Sequence, residues 1–160
     1  MLIEVSIKGL MVDPVTNMPI VLLRDDEQQR VLPIWVGPVE ANAIALQIEN
    51  VAPPRPMTHD LLRNMIQEFG ATLERVIIWD LRDGTFYAYL ELRRDGETLL
   101  VDARPSDAIA LSLRSRTPIF VESHVLEEAK TPEVSTERAD QERLQRWLES
   151  LDPDDLGYKM

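Results

Sequence analysis

Two short segments concentrate the charged side chains that could do chemistry in this chain. The first places two carboxylates, Asp102 and Asp107, around the guanidinium of Arg104, where an apolar run ends and a helix is expected to begin. Pro105 suits the first turn of a helix, Ser106 suits its cap, and Asp107 is favourable near the positive end of the helix dipole. Carboxylates can bind a metal cation and helix N-termini attract anions, so a metal ion or a phosphate group could sit at this junction.

The second segment runs from Arg55 to Asp60 and adds the histidine that the first one lacks. Its prolines stiffen a loop that leads into another expected helix, for which Thr58 is the predicted cap. His59 could ligate a metal or deprotonate water, because the unperturbed pKa of histidine lies near neutrality. A purely structural interpretation stays open, in which Thr58 caps the helix, Asp60 favours its dipole and His59 bonds only to backbone.

Carboxylates in these segments predict a site for a hard divalent cation. Mg²⁺ and Mn²⁺ prefer oxygen ligands, and one or two protein carboxylates suffice when a substrate phosphate supplies the others. Asp102 and Asp107 are the predicted metal ligands, and Glu40, in the first turn of an earlier helix, is a weaker third. An ordinary structural junction explains the same residues equally well, since Asp107 favours a helix start and Arg104 can pair with Asp102.

The remaining polar side chains of the two segments predict substrate binding and catalysis. Arg104 and Arg55 would engage a phosphate group, since a guanidinium can hold two of its oxygens at once. Ser106 is the third predicted substrate contact. The predicted catalytic residues are His59, Asp60, Arg104 and Asp107.

Several common classes of catalytic site are absent from the sequence. The chain has no cysteine, which excludes disulfides, thiolate nucleophiles and thiolate metal ligands. It contains neither a Gly-x-Ser-x-Gly elbow nor a Ser-x-x-Lys motif. Glycine-rich phosphate loops, whether Gly-x-Gly-x-x-Gly or the P-loop, are missing as well. Carboxylate and histidine chemistry is what remains.

Composition limits the kind of protein this can be. The 160 residues include 17 basic and 28 acidic side chains, a net charge of -11, which argues against binding nucleic acid mainly by neutralising phosphates. An apolar content of 44% can form one domain with a core. The sequence shows neither a signal-peptide pattern nor a long apolar run, so we expect a soluble cytoplasmic protein.

Hydrophobic periodicity and turn signals predict one domain over residues 1–130. Two Asp-Gly pairs, Asp83-Gly84 and Asp95-Gly96, separate strong strand-forming runs and are the clearest hairpin signals. Strands are predicted over 2–12, 19–24, 30–36, 71–82, 86–92, 99–101 and 118–121, and helices over 39–50, 58–69, 106–115 and 125–129.

Residues 131–160 are predicted to form a polar linker, an amphipathic helix over about 136–151 and a disordered acidic tail. Leu144, Trp147, Leu148 and Leu151 follow helical spacing on an otherwise charged segment. This narrow apolar stripe needs a partner, which is the body of the protein, a second copy or another protein. Docking on the body or self-association is favoured, because short amphipathic tails usually pack somewhere.

Four motifs, taken in order, resemble the bifunctional nuclease domain family. They are Leu32-Pro33-Ile34-Trp35-Val36-Gly37 with Glu40-Ala41, Arg55-Pro56-Met57-Thr58-His59-Asp60-Leu61, Phe86-Tyr87-Ala88, and Asp102-Ala103-Arg104-Pro105-Ser106-Asp107-Ala108-Ile109-Ala110-Leu111. Their order and spacing match over about residues 1–130, and Trp147-Leu148 to Asp155-Leu156 resembles the end of many bacterial members. The resemblance implies an α+β domain with a mixed, largely antiparallel sheet flanked by helices, activity on DNA or RNA, and a homodimer or higher homo-oligomer.

The sequence therefore supports two functions from different classes. In the first, the chain is a metal-dependent nuclease in which Mg²⁺ or Mn²⁺ is the cofactor and nucleic acid is the substrate. In the second, it is a non-catalytic binding or regulatory module that holds an anionic small molecule and recruits a partner through its C-terminal helix. The acidity of the chain favours the second function, and the family resemblance favours the first.

Overall fold

A computed structural model describes residues 1–27 and 30–129 of the chain. Seven strands and four helices make up this part. The strands are β1 (Leu2–Val12), β2 (Pro19–Asp25), β3 (Val31–Trp35), β4 (Thr72–Arg82), β5 (Thr85–Arg94), β6 (Glu97–Ala103) and β7 (Ile119–Glu122). The helices are α1 (Pro38–Ile48), α2 (Thr58–Glu68), α3 (Pro105–Ser115) and α4 (Ser123–Glu128). Each element predicted within residues 1–129 is present, with boundaries that differ by a few residues.

The strands form one sheet in the order β3-β2-β1-β7-β4-β5-β6. Every neighbouring pair is antiparallel except β4 and β7, which run parallel. The predicted α+β fold with a mixed, largely antiparallel sheet is therefore confirmed. Both Asp-Gly hairpins are also confirmed, with positive φ at Asp83, Gly84, Asp95 and Gly96 as a type I′ turn requires.

Alternation along β5 separates the two faces of the sheet. Phe86, Ala88 and Leu90 are buried in the core together with α3 residues such as Ile109, whereas Tyr89 lies on the opposite, half-covered face. Residues directly opposite one another in an antiparallel pair share a face. The pairing of β5 with β6 therefore decides which residues of β6 lie on the side of the helices.

Both predicted helix caps are wrong by one or two positions. Met57 is the N-cap of α2 and Arg104 is the N-cap of α3, and neither makes a side-chain capping bond. The carboxylate of Asp60 instead reaches back to accept the Met57 backbone N–H at 2.9 Å. Pro105 occupies the first helical position of α3, as proline prefers, and Ser106 lies inside the first turn.

The apolar side of α2 faces mainly solvent. Leu61, Leu62, Met65 and Phe69 are exposed, and Ile66 is packed only partly against the core. The inward side of this helix is polar, with Asp60 as its buried residue. This helix therefore contributes charged groups rather than aliphatic ones to its contact with α3.

Within the described ranges, no helix is long and apolar enough to cross a membrane. The predicted helix over 136–151 and the acidic tail lie outside the described residues. The same is true of the predicted domain boundary near residue 130.

Candidate functional site

The N-terminal turns of α2 and α3 meet through a histidine and an aspartate. The Nε2 atom of His59 lies 2.9 Å from Oδ1 of Asp107, although the two residues are 48 positions apart in the chain. His59 is largely buried and Asp107 is about one-third exposed. The two segments singled out in the sequence are therefore brought together in space.

Arg104 connects this pair to the first turn of α1. Its Nε donates to Oδ2 of Asp107 at 2.9 Å, and its Nη2 donates to Oε1 of Glu40 at 2.9 Å. Because Arg104 is the N-cap of α3, its side chain leaves the helix start toward both carboxylates. With His59 these residues form one line of contacts, Glu40–Arg104–Asp107–His59, which we call the Arg104 cluster. Arg104 is 45% exposed, so the cluster opens to solvent.

The electrostatics of the cluster fix the charge of Asp107. Burial tends to raise the pKa of this carboxyl, but hydrogen bonds from Arg104 and His59 hold it below its usual range. The hydrogen bond to Asp107, outweighing burial, raises the pKa of Arg104. Asp107 is therefore a carboxylate and Arg104 a cation at neutral pH.

An ionised Asp107 also selects the tautomer of His59. A carboxylate only accepts hydrogen bonds, so Nε2 of His59 must carry the proton that it donates to Oδ1. In a neutral imidazole the other nitrogen, Nδ1, then keeps its lone pair. None of the hydrogen bonds in the described part of the chain uses Nδ1. An oriented histidine with a free lone pair can act as a general base toward water.

A buried arginine on α3 holds the helices that carry these groups. Arg114 donates from Nε to Oδ1 of Asp60 at 2.8 Å and from Nη2 to the carbonyl oxygen of Ala43 at 3.0 Å. Its Nη1 donates to the carbonyl of Ala110, one turn earlier. Arg114 is only 1% exposed and contacts all of α1, α2 and α3. It fixes the three helices whose N-terminal turns supply the Arg104 cluster.

Asp60, predicted to be catalytic, lies in this interior contact instead. Its two carboxylate oxygens accept from Arg114 and from the backbone of Met57. Burial tends to raise its pKa, but the Met57 N–H and Arg114 hold that pKa below the usual range. The described geometry therefore gives Asp60 a role in positioning α2.

Sequence reasoning missed Arg114, although its spacing carried a signal. Arg114 follows Asp107 by seven positions, so both lie on the same side of α3. That side continues through Ala110 and Leu111, which are fully buried. A charged residue at a core-facing position requires a buried partner. The partner is Asp60, from the other segment that the sequence singled out.

Asp102, a predicted metal ligand, is not part of the cluster. It pairs with Tyr89 across β5 and β6, whereas its neighbour Ala103 pairs with the core residue Ala88. Asp102 therefore lies on the face of the sheet opposite the helices. The one-residue alternation of a strand separates it from Asp107, despite their closeness in sequence.

Two predicted substrate contacts also lie apart from the contacts of the cluster. Arg55 is exposed in the loop between α1 and α2, where it lines a depression of about 270 Å³ with Asp60 and Arg63. Ser106 is buried next to Asp107, and its Oγ has no hydrogen-bond partner among the described residues. Neither side chain makes a described contact with Arg104 or Asp107.

The carboxylates and histidines of the described residues do not form a preformed metal site. Among residues 1–27 and 30–129, no group of three or more histidine, aspartate and glutamate side chains is arranged to hold an ion. Glu40 and Asp107 offer the oxygen donors that hard cations prefer, and each now accepts a hydrogen bond from Arg104. Their donor chemistry fits a divalent cation that arrives together with additional oxygen ligands.

Sequence comparisons find relatives in bacteria and plants. An uncharacterized protein of Mycobacterium tuberculosis is 44% identical over 162 aligned positions, which span 96% of this chain and 97% of the relative. Bifunctional nuclease 1 of Oryza sativa subsp. japonica is 29% identical over 71% of this chain and 35% of its own length. Bifunctional nuclease 1 of Arabidopsis thaliana is 28% identical over 73% of this chain and 37% of its own.

The plant relatives are about three times as long as their aligned region, so the similarity covers one part of them. Residues 21–134 of this chain match the bifunctional nuclease domain. That range contains every member of the Arg104 cluster and also the buried pair of Arg114 and Asp60. This chain belongs to the bifunctional nuclease domain family.

Proposed function

We propose that this protein hydrolyses phosphodiester bonds in DNA or RNA, and that the Arg104 cluster is its active site. The observation that carries the proposal is the contact of His59 with Asp107, which joins two distant segments into an oriented base beside an arginine. This constellation lies within the range that matches the bifunctional nuclease domain. Relatives with that domain are named nucleases.

In the proposed reaction His59 activates water. Its Nδ1 accepts a proton from a water molecule while the water oxygen forms a bond to phosphorus. The bond from phosphorus to the leaving oxygen breaks, and that oxygen takes a proton from the imidazolium or from solvent. Asp107 keeps the imidazole oriented through Nε2 and stabilises its charge when it is protonated.

Arg104 is the proposed contact for the phosphate oxygens. Its side chain is nearly half exposed, and a guanidinium can bind two oxygens of a phosphate in parallel. Engaging the substrate in this way requires Arg104 to leave at least one of its two carboxylate partners. Arg55 is the second proposed phosphate contact, reached from the adjacent loop.

The charge of the cluster supports the predicted divalent cation, Mg²⁺ or Mn²⁺. With His59 neutral, two carboxylates surround one guanidinium, so the cluster as described repels an anionic substrate. Glu40 and Asp107 would hold the cation, with the remaining oxygen ligands coming from water and substrate. When bound, the cation supplies positive charge beside the phosphate. We propose it as a cofactor on this ground.

The test compares the two histidines of the chain. The full chain is incubated with single-stranded DNA and RNA in Mg²⁺, in Mn²⁺ and in EDTA. We expect cleavage that requires the metal and that falls about 10²–10⁴-fold in a His59→Gln variant, the usual contribution of a general base. His124→Gln is the matched control, because His124 is exposed on α4 and contacts Asp80, away from the cluster. Equal cleavage by wild type and His59→Gln would show that the site is wrong.

The alternative function makes a different prediction for the same protein. If the chain is a non-catalytic module for an anionic small molecule, it cleaves neither nucleic acid under any metal condition. A thermal-shift screen of anionic metabolites then raises the melting temperature, because a ligand of the folded state stabilises it. Cleavage lost in His59→Gln rules out this alternative.

A further inference from the structure

A small depression between α1 and α2 gathers arginine charge that no carboxylate of the described chain neutralises. Among the arginines of the described ranges, eight form an ion pair with a carboxylate. Three form none, namely Arg55, Arg63 and Arg116. Two of these three, Arg55 and Arg63, line the same depression of about 270 Å³. In a chain with a net charge of -11, this is a place where an anion meets an excess of positive charge.

The carboxylate in the wall of this depression is already paired. Among the described residues that line it, Asp60 is the one acidic residue, and its Oδ1 accepts from Arg114 at 2.8 Å. The charge of Asp60 is therefore balanced by Arg114, and the charges of Arg55 and Arg63 remain in excess. Arg63 donates from Nε and Nη2 to the amide oxygen of Asn64 at 3.3 and 3.2 Å, but that acceptor is neutral.

Prolines stiffen the loop that presents Arg55. Pro53, Pro54 and Pro56 line the same depression. A proline ring fixes φ and removes the backbone N–H, so the loop loses little further freedom when a ligand binds and offers few backbone donors. Side chains must therefore hold an anion here, and Gln47 on α1, which also lines the depression, carries an amide that can donate.

The depression lies next to the Arg104 cluster. His59 of the cluster and Asp60 of the depression are consecutive residues in the first turn of α2. On α1, Glu40 of the cluster and Gln47 of the depression are two turns apart on the same side of the helix, or about 10 Å along its axis. A ligand that occupies both places must therefore extend over more than one phosphate group.

We propose that Arg55 and Arg63 form a subsite for a second phosphate group of the nucleic-acid strand whose scissile phosphate lies at the Arg104 cluster. A strand carries a phosphate group at every nucleotide, so it can occupy both places at once. Each guanidinium can hold two oxygens of the second phosphate. This inference rests on the proposed nuclease activity, because it assigns both phosphate groups to one substrate.

The subsite explains how an acidic protein can retain an anionic strand. With His59 neutral, the Arg104 cluster carries two carboxylates around one guanidinium and repels the substrate. Contacts to a part of the substrate that does not react can supply the binding energy that the reacting centre lacks. Arg55 and Arg63 provide such contacts from outside the cluster. The same chemistry recognises the phosphate group of a free mononucleotide, so the experiment has an arm for each source.

Binding is measured in the His59→Gln background, so that the strand stays intact. A fluorescein-labelled single-stranded oligothymidylate is titrated with the full chain in Mg²⁺, and fluorescence anisotropy gives Kd. We expect Arg63→Gln to raise Kd about tenfold, as for loss of a hydrogen bond to a charged group, and Arg63→Lys to retain part of the affinity. The slope of log Kd against log salt concentration should fall by about 0.7 in Arg63→Gln, the value for one phosphate contact of a single strand.

Arg116→Gln is the matched control. Arg116 is also an arginine without an ion pair in the described chain, but it is the C-cap of α3 and does not line the depression. Its substitution removes the same charge and should change Kd far less than Arg63→Gln does. Circular dichroism establishes that the variants are folded. Equal effects of Arg63→Gln and Arg116→Gln would reveal a general charge effect and overturn the subsite, as would an oligothymidylate that does not bind.

Thymidine monophosphate, titrated in a calorimeter, is the arm for a free molecule. If its Kd depends on Arg63 while that of the oligothymidylate does not, the assignment of the depression to the strand is wrong. The nuclease test fails or succeeds separately. Cleavage that is independent of His59, together with weaker binding by Arg63→Gln, would support the subsite and refute the proposed base. Cleavage that requires His59, with unchanged binding by Arg63→Gln, would refute the subsite alone.

Discussion

Arg114 on α3 donates to the carboxylate of Asp60 on α2 at 2.8 Å, in a contact where both side chains are nearly excluded from water. The same guanidinium reaches the backbone of α1 through Ala43. The three helices that carry Glu40, His59 and Asp107 are thus held by one cation. The exposed Arg104 cluster lies at their N-terminal turns, above a buried arginine whose three guanidinium nitrogens each donate a hydrogen bond.

Loss of Arg114 should destabilise the fold strongly. In Arg114→Met the carboxylate of Asp60 keeps its burial but loses its charged partner, which typically costs about 3–5 kcal/mol. Urea unfolding of the variant measures the loss. Arg93→Met is the control, because Arg93 forms an exposed pair with Glu74 at 3.9 Å, and such pairs contribute at most about 1 kcal/mol. Similar losses in the two variants would contradict a special role for the buried pair.

Asp107→Asn should reduce nuclease activity while leaving the fold intact. An asparagine retains the shape of the side chain but no longer fixes the proton on Nε2 of His59 or stabilises the imidazolium. We expect kcat to fall by about 10²–10⁴-fold, as for loss of a general base. Asp102→Asn is the matched control, because Asp102 lies on the opposite face of the sheet. If Asp102→Asn impairs cleavage as much as Asp107→Asn, the placement of the site on the helix side is wrong.

The pH dependence of stability should reflect the four depressed carboxyl pKa values among the described residues, of which two belong to the helix contacts of the site. Those of Asp60 and Asp107 are both lowered in the folded protein from a reference of 3.8. The stability that they contribute is therefore complete above that reference and is lost as the pH falls through their folded pKa values. Urea unfolding between pH 7 and pH 2.5 should show the loss concentrated below about pH 4. Asp60→Asn should be less stable at pH 7 but should lose less on acidification.

Glu40→Gln should separate metal binding from the chemical step. If Glu40 and Asp107 hold the divalent cation, removal of one carboxylate raises the Mn²⁺ concentration needed for half-maximal cleavage. The rate at saturating Mn²⁺ should change less than it does in His59→Gln, because the base and its orientation remain. A metal titration of initial rates gives both quantities. An unchanged Mn²⁺ dependence would remove Glu40 from the proposed ligand set.

Local signals in the sequence were sufficient to predict the strands and helices. They also sufficed to identify the two charged segments around His59 and Asp107. The alternation of apolar and polar residues predicted the strands, and two Asp-Gly pairs predicted the hairpins. The segments around His59 and Asp107 stood out because charged residues collect there beside prolines at helix starts. These features depend on neighbours within a few residues, so the amino-acid order alone determines them.

Tertiary structure decided which of those residues act together. Asp102 and Asp107 are five positions apart but lie on opposite faces of the sheet, because successive strand residues alternate. His59 and Asp107 are 48 positions apart and touch, because α2 packs against α3. Asp60 is buried because Arg114, also buried, meets it from across the helix contact. Separation along the chain predicts none of these contacts, since each depends on how the helices pack on the sheet and on one another.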